Sequence, residues 1–267
     1  MYREKYIKYK IKYDNLKNNF NIDQKGGNND IKEIYFIRHG QTDWNLQKKT
    51  QGQEADIELN NTGKQESKKT GAYLKKYRMD KEFDCIISSP MIRCRETSEE
   101  IAKQIGFDLN KIQYDDDLKE LKKGNMSGLT NKDDLITKFK TKVDLEINKI
   151  KDPIEKYEIS NPYKAEDFYQ NIIEKYNIDI NNLETKEEIL DRANNFINVL
   201  KERNCKKIIV VSHSGTLEVL LKLMLKLNVL PKGDTSNGSN CSIALLTLDN
   251  DNSFSMISPQ NTEHLSI

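Results

Sequence analysis

Two histidines in this chain each close a short apolar run and precede a glycine. Ile34-Tyr35-Phe36-Ile37 stops at Arg38-His39-Gly40-Gln41-Thr42, and Ile208-Ile209-Val210-Val211 stops at Ser212-His213-Ser214-Gly215-Thr216. Only three histidines exist in the chain, so two in this setting form a pattern. Each run is short and rich in β-branched or aromatic residues, which predicts a buried strand. A cation, an imidazole and a glycine at a strand's carboxyl end sit where open α/β sheets place ligands. Imidazole is the side chain that exchanges protons near neutral pH. Neither histidine belongs to a metal-ligand cluster of the sequence.

The elements that must position these residues alternate between strand and helix from Ile31 onward. Asn60 or Asn61 caps a predicted helix running to Tyr77. Asp84-Cys85-Ile86-Ile87 reads as a second strand, and Pro90, after Ser88-Ser89, opens a helix that carries Ile92, Ile101 and Ile105 and ends near Gly106. Residues from about 131 to 183 are polar, helix-prone and divided by Pro153 and Pro162, so they read as an insertion or lid. A helix from Lys186 to Arg203 places Ile189, Ala193, Phe196, Ile197 and Leu200 on one side and feeds the strand before His213. Ser242–Leu248 and Phe254–Ile257 flank Asp249-Asn250-Asp251-Asn252, a hairpin-like turn.

With 267 residues the chain has room for one large α/β domain or two small ones. Its 43 basic and 42 acidic residues give no global field for nucleic acid or membrane. Cys85, Cys94, Cys205 and Cys241 form no Cys-x-x-Cys pair, and no signal peptide or stretch of membrane length is evident. These features point to a reduced, intracellular protein whose thiols pack as small hydrophobes. Residues 1–30 differ from the rest. Tyr2, Tyr6, Tyr9, Tyr13, Leu16 and Phe20 follow helical spacing, residues 1–17 hold six basic and two acidic side chains, and Gln24 to Asp30 reads as a linker. This leader is a docking arm or a loosely packed helix, and its composition is similar to that of leaders on giant DNA virus proteins.

Beyond the leader, the motifs resemble those of the histidine phosphatase superfamily, also called phosphoglycerate-mutase-like. Arg38-His39-Gly40-Gln41-Thr42-Asp43-Trp44-Asn45 matches its opening motif, Ser88 to Thr97 its second, Leu118-Lys119-Glu120 its acidic motif and Val211 to Thr216 its second-histidine motif. Weaker echoes are Glu184-Thr185 with Glu188 and Arg192, then Asn240-Cys241-Ser242, then His264-Leu265. The resemblance implies a three-layer α/β/α sandwich with a mostly parallel central sheet over 31–267, a helical insertion at about 131–183 and the helical leader in front.

It also implies roles. His39 is the nucleophile that becomes phosphorylated, because a neutral imidazole is not repelled by a phosphate dianion. Arg38 and Arg93 offer forked donors to phosphoryl oxygens. His213, protonated among phosphate charges, is another donor, and Asn45 and Thr216 add neutral hydrogen bonds. Glu120 is the general acid, with a pKa raised by burial or a phosphate neighbour. Gly40 lets the backbone approach the phosphate. These groups replace a metal, so no metal or cofactor is implied.

The same resemblance leaves a choice of outcome. Mutases of the family follow the acidic residue with Arg-His-Tyr and glycine and carry an arginine pair further on. Here Glu120 precedes Leu121-Lys122-Lys123-Gly124, and residues 131–183 contain no arginine. The expected activity is therefore metal-independent phosphomonoester hydrolysis. Phosphoglycerate mutase is the alternative, and a weakly catalytic scaffold that binds phosphorylated ligands is the alternative from another class. The expected partner is a phosphorylated small molecule or phosphoprotein, with no nucleic acid for the catalytic domain, no membrane, and docking left to residues 1–30. The expected location is the cytoplasm, or host cytoplasm or virion for a viral protein.

Overall fold

The computed structural model describes residues 31–53, 56–77, 82–151, 166–227 and 239–266. The leader, its linker, Pro153 and Pro162 lie outside the described residues. The first strand, β1 (Lys32–Arg38), is followed by a single turn of helix, α1 (Asp43–Leu46), and by α2 (Asn61–Tyr77). Then come β2 (Cys85–Ser88), α3 (Ile92–Ile105) and a two-residue β3 (Gln113–Tyr114). The stretch from 131 to 183 carries α4 (Asp134–Ile147) and α5 (Glu166–Lys175). The chain closes with α6 (Lys186–Glu202), β4 (Lys207–Ser212), α7 (Ser214–Leu225), β5 (Ile243–Leu248) and β6 (Phe254–Asn261).

Six strands form one sheet in the order β3-β2-β4-β1-β5-β6. The first four are mutually parallel; β5 runs antiparallel to β1, and β6 antiparallel to β5. Five strands therefore share one direction. β1 is apolar at successive positions because helices cover both faces of the sheet. Ile34 and Phe36 pack with Leu217, Leu220 and Phe196 of α7 and α6, whereas Tyr35 and Ile37 pack with Leu74, Ile101 and Cys94 of α2 and α3. Full burial of each such side chain is worth about 1.5–3 kcal/mol, so the centre of the sheet is its most strongly held part. Helices on two faces make three layers, as the motifs implied.

This arrangement creates the crevice. The helix after β1 lies on one face and the helix after β4 on the other, so the chain departs in opposite directions from two adjacent parallel strands. Such a switch point opens a cleft at the carboxyl ends. Register does the rest: Arg38 pairs with Ser212 and Ser88 with Val211, so the segments after β1, β4 and β2 emerge side by side.

The cysteine expectation is corrected. Cys85 and Cys205 form a disulfide, while Cys94 and Cys241 are free and buried. Cys85 opens β2 and Cys205 lies just before β4, its neighbour in the sheet, which brings their Cα atoms to 6.2 Å. A separation of 120 residues hid that proximity in the sequence. No helix among the described residues is long and apolar enough to cross a membrane.

Candidate active site

His39 leaves β1 with its backbone fixed on three sides. Its N–H donates to the Ser212 carbonyl at 2.9 Å, and its own carbonyl accepts from Cys241 N at 3.2 Å and Asn240 Nδ2 at 3.0 Å. The ring is fixed as well, because Nδ1 lies 2.7 Å from the Gly40 carbonyl oxygen. A carbonyl only accepts, so Nδ1 carries the proton and Nε2 of the neutral ring holds the lone pair. Gly40 also answers a packing need within the protein. Its N–H donates to Thr97 Oγ1 at 3.0 Å, and a Cβ there would meet the Gly63 carbonyl oxygen at 2.6 Å. Glycine is needed for α2 to close on this turn.

Behind His39, the C-terminal turn supports the same backbone. Cys241 adopts φ +52°, a left-handed conformation, and its backbone is hydrogen-bonded by His264. His264 Nε2 also meets Thr70 Oγ1 at 2.9 Å. The weak echoes at Cys241 and His264 thus converge on the turn that carries His39.

His213 precedes α7 as its N-cap residue, with its ring centroid 5.3 Å from that of His39. Its Nδ1 accepts from Arg93 Nε at 3.2 Å, and its Nε2 lies 2.9 Å from Ser89 Oγ. Since Nδ1 accepts, Nε2 carries the one ring proton, and this His213 is neutral. Burial, then Arg93, His39 and Arg38, hold its pKa well below the usual 6.5. In the free protein two guanidinium charges oppose an imidazolium here, and the expected protonation belongs to the phosphate-bound state. Cys94, at 3.4 Å from His213 Nε2, is pushed up to a neutral thiol by burial.

Arg93 is fully buried on the first turn of α3. Besides its bond to His213 it donates from Nη2 to the Gly52 carbonyl at 3.2 Å. Its Nη1 and the Nε of Arg38 are buried without a hydrogen-bond partner among the described residues. Unpaired guanidinium N–H groups in an interior are costly, and two of them, on arginines whose charges act on the His39 ring, define a demand for an anion with several acceptor oxygens. Among the described residues no group of three or more His, Cys, Asp or Glu is arranged to hold a metal ion.

Glu120 reaches the site from the loop after β3. Its Oε1 accepts from Leu121 N at 3.0 Å and Thr216 N at 3.2 Å, and its Oε2 accepts from Gly215 N at a longer 3.4 Å. The carboxylate thus sits on the N-terminus of α7, where helix N–H groups and the dipole favour an acceptor. A Cβ on Gly215 would meet Glu120 Oε1 at 2.6 Å, so only glycine admits it. Thr216 is placed differently from the expectation. Its hydroxyl donates to the Lys119 carbonyl at 2.6 Å, so its one hydrogen holds the Glu120 loop and is not offered to a ligand. Asn45 spends its Oδ1 on Thr42 N, Thr42 Oγ1 and Asn240 Nδ2, at 3.0–3.1 Å. That leaves its amide nitrogen as the donor it can present.

The structure therefore brings Arg38, His39, Arg93, Glu120 and His213 together. Sequence reasoning missed Ser89 and Gly52 as partners, although Ser89 stands inside the second motif. It also missed Gln53, whose Nε2 donates to the Glu120 carbonyl at 2.7 Å.

Acid sensitivity arises from the buried rings. Burial lowers the pKa of all three histidines, with Arg38 and Arg93 adding to the effect at His39, and His264 falls to about 4. Folded, each ring stays neutral below pH 6.5; unfolded, each takes up a proton. Stability is therefore full above about pH 6.5 and lost as pH falls, by about 1.4 kcal/mol per pH unit for each ring. Urea midpoints measured from pH 7.5 to 4.5 should decline steadily below 6.5, and a flat profile would contradict the burial.

The chain can now be set beside known proteins. The histidine phosphatase superfamily (branch 1) matches it over residues 34–158 and 154–258. An uncharacterized phosphatase of Bacillus subtilis, PhoE, is 29% identical over 189 residues, covering 70% of this chain and 75% of that protein. A 2,3-bisphosphoglycerate-dependent phosphoglycerate mutase of Buchnera aphidicola is 28% identical over 207 residues, covering 74% and 85%. Among solved structures, a phosphoglycerate mutase from Bacillus anthracis aligns with TM-score 0.65 at 20% identity, covering 88% of this chain and 96% of that one.

Proposed function

Because the chain belongs to the histidine phosphatase superfamily, we propose that it hydrolyses phosphate monoesters through a phosphohistidine on His39, without a metal ion. One observation carries this reading: a neutral His39 ring, with Nε2 as its lone-pair nitrogen, lies under the charges of Arg38 and Arg93, each of which keeps one buried N–H without a partner among the described residues. A neutral nucleophile next to fixed positive donors suits a dianionic phosphoryl group and the charge that develops in its transfer.

This chain's own groups supply each proton and contact of the reaction. Nε2 of His39 attacks phosphorus as the ester P–O bond breaks. Glu120, protonated on Oε2, the oxygen with the single long contact, gives its proton to the leaving alkoxide. Arg38, Arg93 and the amide nitrogen of Asn45 hold the phosphoryl oxygens, and His213 fixes Arg93 through Nδ1. Water then attacks the phosphohistidine, Glu120 takes its proton, and the P–N bond breaks to release phosphate. His39 is restored neutral, with Nδ1–H still on Gly40.

The residues just after Glu120 favour hydrolysis over mutase chemistry. Leu121 is buried, the Lys122 backbone N–H donates to Glu184, and Lys122 Nζ lies 3.8 Å from Glu188. These residues secure the loop, and none offers a bidentate fork for a substrate carboxylate. The reading leaves residues 1–30 to docking, since none of the family motifs lies in them.

The test is hydrolysis of an aryl phosphate in EDTA. Turnover should persist. The acid limb of the enzyme should lie below pH 6.5, because burial, Arg38 and Arg93 keep His39 neutral there. Phosphate moved only to a second hydroxyl would instead favour the mutase, and tight phosphate binding without turnover would favour the scaffold.

A further inference from the structure

Glu184 and Arg192 lie outside the phosphate site yet grip the segment that delivers Glu120. Glu184 ends the loop before α6, and Arg192 lies two turns into that helix, whose start is fixed by a capping box between Thr185 and Glu188. The pair is bidentate, with Nε to Oε1 at 2.6 Å and Nη2 to Oε2 at 3.0 Å. Both side chains are nearly buried, at 12% and 3% exposure. Arg192 Nη1 donates to two carbonyls, Asp117 at 2.7 Å and Lys119 at 2.9 Å. Glu184 Oε2 in turn accepts from Lys122 N at 3.1 Å. The two side chains thereby hold the backbone on both sides of Glu120, and the Thr216 hydroxyl donates to the same Lys119 carbonyl.

We propose that Glu184 and Arg192 are positioning residues that set the placement of the Glu120 carboxyl against the leaving group. The inference rests on the reading of Glu120 as general acid. Two features separate it from a role in stability alone. Among the described residues, the hydrogen bonds that the pair makes beyond itself go to Asp117, Lys119 and Lys122. Among the described residues, the carboxylate itself is held by backbone N–H groups, those of Leu121, Gly215 and Thr216. A planar guanidinium is suited to the task, because five donors in one plane reach a carboxylate and two carbonyls together.

The experiment compares Arg192→Ala, Arg192→Lys, Glu184→Gln and Glu120→Gln in the full chain, on a nitrophenyl phosphate and on an alkyl phosphate. Misplacing a catalytic group by about 1 Å costs roughly 100-fold. The clamp variants should therefore lose roughly 10- to 100-fold in kcat on the alkyl ester. On the nitrophenyl ester, whose leaving group needs little protonation, they should lose about threefold or less, with KM little changed on either. Combining Arg192→Ala with Glu120→Gln should add no further loss, as expected of residues acting as one unit. Added guanidinium ion should partly restore Arg192→Ala. Should that variant fail to fold, Arg192→Lys keeps the charge without the fork and carries the comparison. Equal losses on both esters in the clamp variants, with Glu120→Gln still selective, would overturn the clamp and leave the acid standing. A non-selective Glu120→Gln would overturn the acid and the clamp with it.

Discussion

His39→Ala should abolish turnover, by on the order of 10⁴-fold or more for loss of a covalent nucleophile, and should abolish the trapped intermediate at the same time. The imidazole is committed to one task. Its Nδ1–H is held by Gly40, its backbone is pinned by Ser212, Asn240 and Cys241, and burial with Arg38 and Arg93 beside it keeps the ring neutral. Alanine leaves that backbone frame intact, since its three hydrogen bonds do not involve the side chain. A wild-type reaction on labelled substrate, quenched in base, should retain protein-bound phosphate, and quenching in acid should lose it, because the P–N bond is acid-labile. The variant should still bind inorganic phosphate through Arg38 and Arg93. Wild-type turnover by His39→Ala, or label that survives acid and not base, would end the phosphohistidine reading.

How much of this was legible in the sequence depends on the kind of residue. β1 and β4 were visible because each is covered by helices on both faces and so reads as an unbroken apolar run. α2, α3 and α6 were visible because one face of each is buried, which leaves a helical period. α7 went unassigned: Leu217, Val219, Leu220, Leu221 and Met224 are all buried, and so broad an apolar surface blurs the period. β3 has only two residues and exists through its pairing with β2. At the site, residue types announced His39, Arg93 and His213, but their hydrogen-bond partners were settled by tertiary contact. Thr216 illustrates the limit. Its place in the motif was right, while the direction of one hydroxyl, toward Lys119, depends on a loop almost a hundred residues earlier. The neutral ring of His213 in the free protein was hidden for a related reason, since the charges of two arginines act there from β1 and α3.

Arg93 and Glu120 should separate cleanly by leaving group. Arg93→Ala removes a preorganised donor and should cost about 2–4 kcal/mol of transition-state stabilisation, or roughly 30- to 1,000-fold in kcat/KM at 1.4 kcal/mol per tenfold. That loss should be similar for alkyl and aryl phosphates, because the transferred phosphoryl group is the same in both. The variant also frees His213 Nδ1 and the Gly52 carbonyl. Arg93→Lys, which keeps the charge but cannot serve His213, Gly52 and phosphate together, should recover only part of the rate. Glu120→Gln behaves differently. The amide can still accept hydrogen bonds from the amides of α7, yet it has no proton to give. Its loss should grow with the pKa of the leaving alcohol, so a plot of rate against that pKa steepens for Glu120→Gln and keeps the wild-type slope for Arg93→Ala. Parallel plots for all three proteins would remove Glu120 from the acid role, and the proton would then have to come from another group at the mouth of the site.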